Sequence, residues 1–179
     1  MSKTDRPFAP LNVAILTVSD TRTPETDTSG DTIAEKLKAA GHRVAARLIL
    51  KDDVDKLRGQ VKGWIDDPKV DAVITTGGTG LTQRDITPEA LTPLITKLIP
   101  GFGELFRHLS YAEIGSSTIE SRAFAGICGG GTILFCLPGS TGACRLGMDK
   151  IILEQLDNRY KPCNLVALLP RIKHEHAPH

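Results

Sequence analysis

The amino-acid sequence predicts an α/β protein: a three-layer α/β sandwich with a mostly parallel central sheet and an antiparallel edge hairpin. Three observations carry this. Apolar runs alternate with amphipathic stretches of helical period, which is the pattern of βαβ units. The first run, 12–19 (NVAILTVS), is nearly continuous in apolar residues, as expected of a strand covered on both faces. Two late runs, 123–128 and 132–137, are joined only by Gly129-Gly130-Gly131, a link so short that it demands an antiparallel hairpin.

The elements follow in order. After the strand at 12–19 comes a polar loop, 20–27, and then Thr28 to Asp31 matches the capping pattern of a Ser or Thr followed three residues later by an acid. Ile33, Leu37 and Ala40 recur at helical spacing until Gly41 stops the helix. Residues 43–50 read as a second strand. Asp52 or Asp53 caps the next helix, whose apolar stripe is Val54, Leu57, Val61, Trp64 and Ile65, and Pro68 ends it. A third strand, 70–75, runs into Gly77-Gly78-Thr79-Gly80. Behind Thr87-Pro88-Glu89, the residues Leu91, Leu94, Ile95 and Leu98 define one helical face, which Pro100-Gly101 breaks. Residues 102–109 resume as a short helix, and 110–121 read as loop plus one helical turn. Past the hairpin, Pro138-Gly139-Ser140-Thr141-Gly142 leads into a last helix over 143–156. There is no internal repeat. The expected organisation is a flexible lead at 1–11, one domain at 12–169 and a tail at 170–179.

Composition narrows the function. The chain has 179 residues, 40% hydrophobic and only 4% aromatic, so its core must rest on Val, Ile, Leu and Ala. A net charge of +1, with the basic residues spread along the sequence, argues against nucleic acid as a partner. No apolar run approaches the roughly 18 residues of a membrane span, and no apolar leader marks a secretory signal, so a cytoplasmic protein is expected. Cys128, Cys136, Cys144 and Cys163 show no paired spacing for zinc or thiol redox chemistry, and Cys128 and Cys136 read as buried thiols. His174, His176 and His179 read as part of a frayed tail, and His42 and His108 as structural.

The segment TTGGTGLTQRDITPEA, 75–90, is the most informative in the chain. Glycines at a strand's end let the backbone turn sharply and let a ligand approach it closely. Unpaired N–H groups there suit phosphate. An acid, Asp85, beside an anion site makes sense where a divalent cation bridges the two. The common phosphate motifs fail: no lysine follows Gly80 closely, and Gln83 stands where the dinucleotide fingerprint needs glycine. In a sheet of this class ligands bind beyond the carboxyl ends of the strands. That rule places Ser19-Asp20, Lys51-Asp52, the glycine loop and Pro138-Gly139-Ser140 at one rim. Arg122 reads as a phosphate clamp near the anion site. No nucleophile elbow or Ser–His pairing is present.

These residues resemble a known family. GGTGLTQRDITPEA is similar to the signature of the MogA/MoaB proteins of molybdenum cofactor biosynthesis, the module that also forms the molybdopterin-binding domain of gephyrin-like proteins. TVSD with the downstream TSGD, PGFGELFRHLSYAEIGSSTIESRAFAG and LPGSTGACRLGMDKIILEQLDN resemble further blocks of it, so the likeness spans 13–168 and leans towards MoaB. The resemblance implies a homotrimer or homohexamer that binds molybdopterin. For the catalytic members it implies adenylylation of the pterin's terminal phosphate with ATP and Mg²⁺, and other molybdenum cofactor biosynthesis proteins are further expected partners. Carried over by motif, Asp85 is the essential acid and Mg²⁺ partner, and Asp52, or its neighbour Asp53, is the second acid. Thr76, Gly77, Gly78, Thr79, Gly80 and Glu89 fall to the pterin phosphate, and Ser110, Ser116, Ser121 and Arg122 to the pterin side. Ser19, Asp20, Asp31, Pro138, Gly139 and Ser140 fall to the nucleotide. The block Lys51-Asp52-Asp53 departs from the family pattern by lacking the proline that often precedes the acid. Three functions compete: an adenylyltransferase, an oligomeric carrier of molybdopterin or its precursor, and an unrelated phosphate-ligand binder on the same fold.

Overall fold

The computed structural model describes residues 4–175, with side chains through residue 172. Its strands are β1 (Asn12–Val18), β2 (Arg43–Leu50), β3 (Ala72–Thr76), β4 (Ile95–Leu98), β5 (Phe124–Cys128) and β6 (Ile133–Leu137). They form one six-stranded sheet in the order β2-β1-β3-β6-β5-β4. The first four in that order are parallel, β5 turns back against β6, and β4 pairs antiparallel with β5. The expected α/β sandwich with an antiparallel edge is what the chain forms.

Period-two alternation divides the core. Val13 and Ile15 of β1 point into one apolar cluster with Ile33, Leu37, Phe102, Phe106, Phe135 and Ile152. Ala14, Leu16 and Val18 point into the other, with Leu57, Val61, Leu91, Leu134 and Cys136. Helices α1 (Thr28–Ala39), α4 (Pro100–Ile114), α5 (Thr141–Gly147) and α6 (Leu153–Leu156) therefore cover one face. Helices α2 (Val54–Asp66) and α3 (Thr87–Leu91) cover the other. Ile15, Leu16, Ile74 and Leu134 are fully buried, and each such side chain contributes about 1.5–3 kcal/mol.

Several elements differ from expectation for identifiable reasons. The cap of α1 is Asp27, not Thr28: its carboxylate accepts from Gly30 N–H at 3.0 Å and from the Thr17 hydroxyl at 2.8 Å. The helix expected through Leu98 ends at Leu91, a 3-10 turn follows, and Ile95–Leu98 is an edge strand. Pro93 lacks the N–H a helix needs, Ile95 and Thr96 are β-branched, and β5 offers an open ladder. Gly126, without a side chain, lets Ile95 lie against β5. Pro100 starts α4 rather than breaking a helix, since at the first helical position its missing N–H costs nothing. That helix continues five residues beyond Leu109, to Ile114, where Gly115 at φ 59° ends it. The helix expected to be the last begins at Thr141, carries a π turn, Met148–Ile152, between α5 and α6, and is followed by a further helix over Leu169–Glu175.

The lead expected to be free is tied down from Thr4 onward. Thr4 N–H donates to the Arg159 carbonyl at 2.8 Å, Ala9 N–H to Asn158 Oδ1 at 3.1 Å, and Asn158 Nδ2 to the Pro7 carbonyl at 2.9 Å. The Phe8 ring lies 5.1 Å from His42 and 4.8 Å from the Arg159 guanidinium. At the other end, α7 (Leu169–Glu175) seats Leu169 in the core. His176 and His179 lie outside the described residues, as does the side chain of His174. Among the described residues no helix is long and apolar enough to cross a membrane.

Candidate functional site

The carboxyl ends of β1, β3 and β6 open onto a cavity of about 450 Å³. The glycine loop forms one wall, Pro138, Gly139 and Ser140 a second, and Ser110 of α4 with Ser117 and Ser121 a third. The floor is buried. Thr76 Oγ1 donates to the Pro138 carbonyl at 2.9 Å and lies 3.1 Å from Cys144 Sγ.

The loop is held by its carbonyls. Gly77 C=O accepts from the Thr87 hydroxyl at 2.8 Å and Gly78 C=O from Thr87 N–H at 2.9 Å. Thr79 C=O accepts from Arg122 N–H at 3.1 Å and Gly80 C=O from Arg122 Nε at 2.7 Å. Four consecutive carbonyls are thus engaged by the protein. The amides differ: among the described residues, no acceptor meets the N–H of Gly78 or Thr79. A pair of unpaired amides on a loop braced from behind is a ready anion cradle. Gly77 and Gly78 carry φ of 98° and 64°, where side chains are strained, and a Cβ at Gly78 would lie 3.3 Å from Asp52 Oδ1.

Two carboxylates abut this loop in opposite states. Burial would raise Asp85, but the Thr82 hydroxyl at 2.7 Å, the Thr82 and Gly80 amides and the Arg122 charge outweigh it and hold it below the ordinary value. Asp52 is raised, first by burial and then by the charges of Asp20 and Asp85. Asp53 settles the capping choice by accepting from Lys56 N–H at 3.0 Å, which leaves Asp52 uncommitted beside the glycines. Among the described residues no group of three or more His, Cys, Asp or Glu is placed to hold a metal alone. The chemistry of the pair still suits a cation: the charge on Asp85 helps raise Asp52, and a cation between them relieves that repulsion. Its remaining ligands would have to come from phosphate oxygens or water.

The sequence-derived residues divide. Ser19, Thr76, Gly77, Gly78, Thr79, Gly80, Asp85, Ser110, Ser121, Pro138, Gly139 and Ser140 all line the cavity. Arg122 does not clamp it: its guanidinium braces Gly80 and the Asp85 carbonyl, at 2.6 Å, and pairs with Glu89. Ser116 is exposed, and its neighbour Ser117 faces the cavity instead. Asp20 pairs with Arg84 at 3.3 Å, and Asp31 with Arg47 at 2.5 Å. Sequence reasoning missed Thr17, Arg22, Phe106 and Glu120, which also line the space. It missed Asp27, whose fully buried carboxylate joins Thr17 to Arg47 under the rim. Only the acid at 27 left a signal, one residue ahead of the capping pattern. Burial pushes the Cys144 thiol up to about 11 and Cys128 up to about 12, so neither is a nucleophile at neutral pH.

Residues 14–158 match the sequence profile of a family described as a probable molybdopterin binding domain. Molybdenum cofactor biosynthesis protein B of Escherichia coli K12 is 48% identical over 164 residues, covering 92% of this chain and 96% of that protein. A crystal structure of a molybdenum cofactor biosynthesis protein B superposes with a TM-score of 0.80 at 44% identity, covering 95% of this chain and 98% of the other. The tungsten cofactor synthesizing protein MoaB of Pyrococcus furiosus gives 0.75 at 34% identity, with 92% and 98% covered.

Proposed function

The chain belongs to the molybdopterin-binding MogA/MoaB family, on its MoaB side, and from that premise we propose that it acts in molybdenum cofactor biosynthesis by binding molybdopterin and adenylylating its terminal phosphate with Mg-ATP. The observation that carries this reading is the pair of unpaired amides, Gly78 and Thr79, flanked by Asp52 and Asp85. An amide pair binds phosphate; two acids beside it are unfavourable for an anion unless a cation comes with it.

In this reading the pterin phosphate sits on the glycine loop, with the Ser110 and Ser117 hydroxyls free to orient the rest of the ligand. A phosphate oxygen attacks the α-phosphorus of ATP, one O–P bond forms, the bond to the β-phosphate oxygen breaks, and pyrophosphate leaves with the electron pair. Such transfer depends on positioning and charge neutralisation, so the lack of a thiolate is no obstacle. Asp85 and Asp52 would hold Mg²⁺, which when bound neutralises phosphate charge. The expected trimer or hexamer has support in the exposed Tyr111, Ile114 and Ile119 along α4 and the turn after it. Sedimentation of the wild-type protein as a monomer would remove that part.

One observation favours a second reading, a non-catalytic carrier: Asp85 Oδ2 already accepts from Thr82 N–H and hydroxyl at 2.9 and 2.7 Å. Turnover by the wild-type protein separates the two, and Asp85→Asn tests the acid's part in it. As the metal-holding acid of an enzyme, its loss lowers adenylyl-molybdopterin formation by about 10²-fold or more while pterin affinity is kept. Wild-type turnover in that variant would refute the role given to Asp85.

A further inference from the structure

A second cavity, about 530 Å³, adjoins the first and shares Ser19 and Arg22 with it. Its walls are apolar at Pro24, Leu48 and Leu50. Among the described residues Arg22 is the only lysine or arginine that lines the first cavity, and it stands at the junction of the two. It is pinned from one side: Nη1 donates to the Thr26 carbonyl at 2.8 Å and the Thr28 hydroxyl at 3.0 Å. Thr28 in turn meets the Thr141 hydroxyl at 2.9 Å, so the pin reaches the wall formed by the loop after β6.

The acids near Arg22 in the sequence are all engaged elsewhere. Asp20 pairs with Arg84, and Asp27 and Asp31 both pair with Arg47. Glu25 is fully exposed and takes a hydrogen bond from the Thr23 side chain. Arg22 forms no ion pair among the described residues, and its Nε and Nη2 have no partner there. A guanidinium positioned through one nitrogen, with two others unengaged, is built for bidentate contact with phosphate.

The geometry points to Arg22 as the side-chain anchor of an oligophosphate chain at the junction of the two cavities, and hence as a substrate-contacting residue for the nucleoside triphosphate. This rests on the adenylyltransferase reading for the name of the substrate. In that reaction Arg22 binds the triphosphate across the junction and offsets the charge that the departing pyrophosphate carries away. The nucleoside then falls to the second cavity, whose apolar wall suits a base, while the glycine loop keeps the other substrate's phosphate.

The test is calorimetric titration of inorganic pyrophosphate into the wild-type protein, Arg22→Gln and Arg43→Gln. Arg22→Gln removes the charge and keeps an N–H donor. Arg43→Gln makes the same charge change at the opposite end of β2, where the side chain is exposed. Wild type binds, Arg22→Gln weakens affinity by about tenfold or more, as for loss of a charge-assisted bond, and Arg43→Gln binds like wild type. Equal affinity in Arg22→Gln, an equal loss in Arg43→Gln, or no binding by wild type overturns the inference. A wild type that binds pyrophosphate through Arg22 but never yields adenylyl-molybdopterin supports this anchor and counts against the adenylyltransferase reading.

Discussion

Asp52 and Asp85 touch the same glycine loop and respond to it in opposite ways. Asp85 is satisfied by Thr82, whereas Asp52 is destabilised by burial and by two neighbouring charges. An acid whose folded pKa is raised costs stability at pH values above that pKa, and the cost disappears as the pH falls through it. Asp52→Asn is therefore expected to raise Tm by about 2 °C at pH 7, an effect that fades as the buffer is acidified. Thermal melts at both pH values check this; a lowered Tm at pH 7 would mean Asp52 is a structural partner. The identity of this residue was only half legible in the sequence. Two adjacent aspartates ahead of a helix have equal claims on its cap, and only the Lys56 amide decides between them. Arg122 shows the reverse. The sequence marks it as a cation near an anion site, but its hydrogen bonds run to loop carbonyls and Glu89, which spacing does not reveal. Arg22 left no signal because nothing in a polar loop says which way a side chain turns.

At the scale of elements, the α2 cap and the acid beside it divide their work. Asp53 holds the first turn of the helix and Asp52 faces the loop. Asp53→Ala is expected to cost about 1 kcal/mol of stability, measured by urea unfolding, and to leave turnover at the wild-type level. A large loss of turnover would instead place the second acid at 53. Periodicity made β1, β2, the hairpin and the helices α1 and α2 legible, because each has an apolar pattern of one period only. It failed at 91–98, where Leu91, Leu94, Ile95 and Leu98 fit a helix by spacing but Pro93 and the open edge of β5 decide for a strand. It failed again at the lead. Residues 4–11 are held by His42 and by Asn158 and Arg159, the last two about as far away in sequence as the chain allows, and local pattern carries no trace of these contacts.

At the scale of the molecule, parallel order brings the carboxyl ends of β1, β3 and β6 together, and their loops supply the cavity walls. This placement was legible, since it follows from the alternation of strands and helices alone. The adjoining second cavity was not, because it depends on how the loop after β1 lies against the edge strand β2. Two spaces joined at one arginine fit a protein in which two phosphorylated compounds meet. Incubating wild-type protein with molybdopterin, ATP and Mg²⁺, then assaying for adenylyl-molybdopterin and pyrophosphate, tests that account most directly. Both products are expected in equal amounts; bound molybdopterin with neither product would overturn the adenylyltransferase reading and leave a carrier.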